Sequence, residues 1–406
     1  MKTRFAALDG LRAIGALAVL TTHVGFHTGT SLNGPLAGLL ARLDVGVAIF
    51  FAISGFLLYR PHVAAWYDST EPPRVLPYLR NRALRILPAL WIAVLLSALL
   101  VPHNNGVTWA TYLQHATLTQ IYFDSPPADG LTQMWSLATE VTFYLLLPAL
   151  AKLLTGSGRP TRRSVAGRIA VLTALAVLGP VWMAGVNATG HPQAGLWLPG
   201  YLGWFAVGMG FALWQVARSR GQLTTPTLDT LAQIPGTVWT AAAALLLIAT
   251  TPIAGPYNLS APTPAQALMK SLLYTAVAAC ALFPALTPTT RSARLLGGRA
   301  GHLAGNISYG VFAYHLIVLS LIEQLTGYTL FSGRFVPIFA STLVISVAVA
   351  VASYFGVERP IMRRGRRDSR YDVSPAKADS DASAQPNSTD AWTAAEVTPA
   401  SPPGQG

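Results

Sequence analysis

Charge is scarce in this sequence. Of 406 residues only 11% are Asp, Glu, Lys or Arg, where a soluble protein carries roughly a quarter. Cysteine is nearly absent as well. The single Cys280 excludes an internal disulfide, and its apolar neighbours read as packing rather than as the setting of a reactive thiol. No segment recurs at a fixed period, which argues against solenoid-type repeats and leaves open a weak inverted repeat between the two halves. No stretch has the polarity of a soluble domain. The formal charge of +12 would suit nucleic acid, but the arginines sit between apolar blocks, which argues against that partner.

Apolar residues fill the space that charge leaves. They make up 52% of the chain and come in ten blocks, about 5–26, 45–59, 83–101, 134–154, 168–186, 196–217, 236–254, 266–287, 303–322 and 335–356. Most reach the roughly 20 residues that span hydrocarbon. The second is short and is expected to extend upstream. The fold class is therefore all-α, a polytopic transmembrane bundle of about ten spans over residues 1–361. Residues 362–406 form a basic juxtamembrane stretch and then a tail rich in Pro, Ser, Ala and Asp, which composition reads as disordered.

Arginine placement sets the expected orientation. The connections 60–85, 152–168, 218–220 and 291–299 are basic, whereas 102–133, 187–195 and 253–265 hold no Lys or Arg. Arg42 and Arg334 are the exceptions. By the positive-inside rule both termini are cytoplasmic, in a multi-pass protein of the plasma membrane. Lys2 and Arg4 precede the first block and no small-residue cleavage site follows it, as in an uncleaved signal anchor.

Several spans keep ionisable groups that hydrocarbon penalises. In "LRAIGALAVLTTHVGFH" Arg12 and His23 are eleven residues apart. They are about 20° from full register and roughly 16 Å apart along a helix axis. Arg12 then lies in the inner half and His23 near the outer end, with His27 one turn further. The bland alternative is snorkelling to the two interfaces. His23 and His27 have the i, i+4 spacing of a shared metal, but no third ligand is evident, and no metal is expected. "MWSLATEVTFYLLLPAL" puts Glu140 about 9 Å below its outer edge, either as a functional acid or as a structural partner for another helix. "NISYGVFAYHLIVL" puts His315 in an outer half, and "YLRNRALRILPAL" puts Arg82 and Arg85 at the inner side. Arginines bind phosphate bidentately, although the pair alone also reads as positive-inside signal. Ser54 and Gly55 in "VGVAIFFAISGFLLYRP" read as close helix packing.

Taken in order, these segments resemble the acyltransferase 3 family of integral membrane acyltransferases. "LDGLRAIGALAVLTTH" looks like its first helix, "GVAIFFAISGFLL" its FF-x-x-SG-F segment and "RNRALRILPAL" its arginine pair. "WSLATEVTFYLLLP", "ISYGVFAYHL" and "VERP" are similar to its later motifs. The likeness covers about residues 5–361. One departure is Ala48, where members often carry an acid; Asp44 is four residues earlier. Some members add a C-terminal extracytoplasmic hydrolase-like domain. Here only the short tail follows, so a second transfer would fall to another protein.

The resemblance implies transfer of an acyl group, commonly acetyl, from cytoplasmic acyl-CoA to a hydroxyl of a sugar, glycolipid or glycan precursor. Acyl-CoA is then a donor substrate, and no bound cofactor is implied. Arg12, Arg82 and Arg85 would hold the CoA phosphates. His23 would be the general base or an acyl carrier, Glu140 would orient it, and His315 would hold the acceptor. Ser54, Trp135 and Tyr144 lie in matching motifs and would line the substrate site. Two rivals remain. One is a secondary transporter of a glycan or anion that uses His23 and Glu140 as proton sites. The other is a membrane scaffold whose tail recruits a cytoplasmic partner. Deleting residues 371–406 separates the last: the enzyme reading expects a mild effect on product formation, the scaffold reading complete loss.

Overall fold

The computed structural model describes residues 5–371 apart from 102–105, 157, 258–259, 288–293 and 295; the side chains of 366–371 are also outside the description. The expected tail from residue 372 and four residues of the basic 291–299 connection, 291–293 and 295, thus lie outside the described residues. Every regular element within them is helical: α1 (Ala7–His27), α2 (Ala37–Arg42), α3 (Gly46–Asp68), α4 (Val75–Leu100), α5 (Trp109–Thr117), α6 (Met134–Thr155), α7 (Arg162–Thr189), α8 (Leu202–Ser219), α9 (Pro226–Gln233), α10 (Pro235–Ala249), α11 (Pro264–Leu282), α12 (Arg299–Thr326), α13 (Phe335–Ser353) and α14 (Arg359–Tyr371). A π-helical turn, Tyr354–Glu358, joins the last two.

Local chemistry accounts for many of the boundaries. Thr161 with Ser164 and Thr263 with Gln266 form reciprocal caps at the starts of α7 and α11, the latter with Pro264 in its first turn. Pro235 cannot continue α9, and the chain bends by 91° into α10. Arg42, an exception to the charge pattern, is only 3% exposed. Its guanidinium donates to the carbonyls of Ala249 (2.8 Å) and Ala254 (3.0 Å), closing the end of α10 and the turn after it.

Eight helical stretches are long and apolar enough to cross a membrane, and a ninth if the bent pair α9–α10 is one span. The protein is thus a multi-pass helical bundle, with fewer qualifying spans than the ten blocks suggested. The block at 196–217 accounts for one of the shortfalls. It begins with short 3₁₀ turns and continues as the 18-residue α8. Most of α8 is enclosed by protein, so it needs no lipid-facing apolar surface, and Gly, Trp and Gln dilute its hydropathy. The second block runs 32 residues, from Ala37 to Asp68, extending both ways.

α3 and α12 are the most enclosed helices, whereas α7 and the 335–365 stretch present most of their apolar surface outward. α1 and α12 lie side by side and run the same way. Polar pairs fix their register: His302 Nδ1 to Asp9 Oδ2 at 2.9 Å, His23 Nδ1 to His315 Nε2 at 2.8 Å, and His27 Nδ1 to Glu323 Oε1 at 2.7 Å. The sequence separations of 293, 292 and 296 are nearly constant, as parallel helices require. Gly305 seats against the backbone of Asp9, which permits the close approach.

α3 and α8 are also packed backbone to backbone. A Cβ on Gly208 would strike the Ala52 carbonyl and the Phe56 nitrogen, whereas one on Gly210 would meet nothing within 4 Å. Overpacking of this kind costs about 1–3 kcal/mol or more. Gly208→Val should therefore abolish the monodisperse folded peak in detergent and Gly210→Val should retain it; equal behaviour would refute the contact.

Candidate functional site

Three helices bring guanidinium and carboxylate groups together in the interior. A cavity of about 80 Å³ is lined by Arg12 from α1, Ser54 from α3, Arg82 and Arg85 from α4, Glu140 and Tyr144 from α6, and Ser308 and Tyr309 from α12. Three guanidiniums face one carboxylate, so the walls carry surplus positive charge. Ser54 Oγ donates a hydrogen bond to Glu140 Oε1, and Tyr144 OH donates to the same oxygen at 2.6 Å. Glu140 and Tyr144 are one helical turn apart, so one face of α6 supplies both. Arg82 Nε is buried without a hydrogen-bond partner. A buried guanidinium N–H left without a partner, on a residue that lines a polar cavity, suits an anion.

The histidine pair lies next to this cavity and does not line it. His315 is fully buried. Its Nδ1 sits 2.8 Å from the Phe312 carbonyl and 3.2 Å from that of Val311, so this nitrogen carries a proton. With the rings neutral, His315 Nε2 is then an acceptor, and His23 Nδ1–H donates to it. The remaining His23 nitrogen, Nε2, keeps its lone pair. A backbone carbonyl thereby sets the tautomers of two rings in series. Phe312 links the two regions: it lines the cavity, and its ring centroid is 6.2 Å from those of His315 and Phe50.

The arrangement differs from the sequence expectation in several places. Glu140 is bonded to Ser54 and Tyr144, so among the described residues the imidazole of His23 is oriented by His315 instead. Trp135 packs against Tyr201, centroids 5.1 Å apart, and is not part of the cavity wall. His27 is the last residue of α1 and pairs with Glu323. Among the described residues no group of three His, Cys, Asp or Glu could hold a metal. Asp44 is engaged by Lys270 at 2.9 Å and by Tyr274, and Ala48 is fully enclosed. Outside the spans, burial pushes His115 of α5 down to about 4, which keeps that ring neutral.

Sequence reasoning missed Glu323 and the grouping of Ser54 with Glu140. Glu323 was legible as a carboxylate two turns beyond His315 in an apolar run. The Ser54–Glu140 contact crosses from α3 to α6 and leaves no trace in either helix alone.

A family model described as an acyltransferase domain matches residues 5–355. The chain belongs to the acyltransferase 3 family. Curated relatives include "Nodulation protein 10" of Rhizobium leguminosarum bv. viciae, 34% identical over 36% of this chain and 44% of the relative. Another is "Putative peptidoglycan O-acetyltransferase YrhL" of Bacillus subtilis (strain 168), 25% identical over 89% of this chain and 55% of the relative. A third is "Peptidoglycan O-acetyltransferase OatA" of Listeria monocytogenes serovar 1/2a, 26% identical over 35% of this chain and 23% of the relative. The chain spans about half the length of the first two relatives and about a quarter of the third. No solved structure matches.

The tautomer assignment is directly measurable. ¹⁵N spectra of histidine-labelled protein in lipid nanodiscs, with the rings neutral, should show His23 protonated at Nδ1 and bare at Nε2. Protonation of His23 at Nε2 instead would break the series.

Proposed function

We propose that this family member is an integral membrane O-acyltransferase. It moves an acetyl or other short acyl group from cytoplasmic acyl-CoA to a hydroxyl of a sugar, glycolipid or glycan of the cell envelope, with both termini cytoplasmic in the plasma membrane. The observation that carries this reading is the carbonyl–His315–His23 series, which leaves a general base beside an arginine-lined cavity. The names of two relatives, peptidoglycan O-acetyltransferases, support a glycan acceptor.

His23 Nε2 takes the proton of the acceptor hydroxyl as its oxygen attacks the thioester carbonyl. The positive charge that forms on His23 is shared with His315 through the Nδ1–H···Nε2 bond. The tetrahedral adduct collapses, the C–S bond breaks, and the same proton passes to the departing CoA sulfur. An ester forms and His23 returns to its starting state. Arg12, Arg82 and Arg85 hold phosphate or oxyanion charge at the arginine-rich side, and Glu140, held by Ser54 and Tyr144, places one negative charge in the same cavity wall. The transport reading needs His23 and Glu140 on one proton path, whereas Glu140 is bonded to other groups.

The test uses radiolabelled acetyl-CoA, reconstituted protein and peptidoglycan fragments or lipid-linked glycan. Label should appear in base-labile ester on the glycan. His23→Ala should reduce kcat by roughly 10²–10⁴-fold, and Arg82→Ala should chiefly raise KM for the donor. Unmodified glycan crossing the vesicle, with no ester formed, would favour transport and overturn the assignment.

A further inference from the structure

A second cavity, of about 530 Å³, opens beside the first at the arginine-rich end of the bundle. Its walls include Arg85 and Tyr309, which also line the inner cavity. The two spaces therefore meet at these side chains. Three arginines face the second cavity, Arg85, Arg359 and Arg363. Arg359 and Arg363 are four residues apart on α14, hence on one face. Among the described residues neither is held by a carboxylate. The two acids present are already engaged: Asp9 by His302 at 2.9 Å, and Glu358 by Ser353 Oγ at 3.0 Å. The other polar groups are His302, Asn306 and Tyr354.

Size separates the roles of the two cavities. About 80 Å³ admits a few atoms or a narrow chain; about 530 Å³ lies in the range of small-molecule sites, roughly 300–1,000 Å³. The order along α12 is also directional. His302 and Asn306 line the second cavity, Tyr309 lines both, Phe312 lines the first, and His315 lies beyond it. His302 to His315 is thirteen residues, roughly 20 Å of helix. An elongated ligand with a bulky anionic end and a thin reactive arm fits this sequence of spaces.

We propose that the second cavity is the seat of the nucleotide phosphates of the donor, with Arg359 and Arg363 as phosphate-binding residues and Arg85 as the hinge between nucleotide and arm. This rests on acyl-CoA being the donor. Phosphate chemistry is shared by anionic lipid headgroups, and the experiment separates the two sources.

The Arg359→Ala/Arg363→Ala double variant and the wild type are placed in nanodiscs of phosphatidylcholine alone and of phosphatidylcholine with phosphatidylglycerol. Dissociation constants are measured for acetyl-CoA, adenosine 3′,5′-bisphosphate and acetyl-pantetheine. The expected result is at least tenfold weaker binding of the first two in both lipids, so that the preference for acetyl-CoA over acetyl-pantetheine falls by the same factor. Retained acetyl-pantetheine binding shows that the variant is folded. Should it not fold, Arg359→Lys/Arg363→Lys keeps the charge and loses the fork geometry, and is expected to weaken nucleotide binding less. Equal nucleotide affinity in variant and wild type, with the wild type binding acetyl-CoA, would overturn the seat while sparing the donor. A difference seen only with phosphatidylglycerol would assign the arginines to lipid. A wild type that binds no acetyl-CoA would remove the donor reading itself, and the seat with it.

Discussion

The parallel register of α1 and α12 is the constraint on which the site depends. Polar groups inside a membrane must find partners within the protein, since hydrocarbon supplies none. Here three pairs along one helix interface meet that need: Asp9 with His302, His23 with His315 and His27 with Glu323. Moving either helix by one residue would separate all three at once. Gly305 against Asp9 makes the interface close enough to hold that register.

From this register follows a division of the interior by depth. Arg12 lines a cavity shared with α3, α4, α6 and α12, while His23, three turns further, pairs with His315. Phe50 and Phe312 lie where the two regions adjoin. The guanidinium-lined cavity and the histidine pair thus occupy adjacent compartments.

Much of the bundle could be read from one-dimensional pattern, because the cost of exposing polar groups to lipid writes itself into long apolar runs. The difference between ten apolar blocks and eight or nine qualifying helices has the same origin. α8 is surrounded by protein and escapes that pressure, so its hydropathy says little about its position. Arg42 shows the converse case: an arginine out of place in the charge pattern proves to be a cap on carbonyls at the end of α10 and in the turn after it.

Sequence by itself determined that Arg12 and His23 share a face, that Glu140 and Tyr144 share a face, and that His315 lies in the C-terminal half of its helix, because helical periodicity and position along a helix are properties of a single segment. Only the tertiary structure decided the partners: His315 for His23, Ser54 for Glu140, Glu323 for His27. Those choices depend on the rotation and axial offset of one helix against another. Both are set by close contacts such as Gly208 on Ala52, between residues far apart in the chain, and no single-helix pattern carries them.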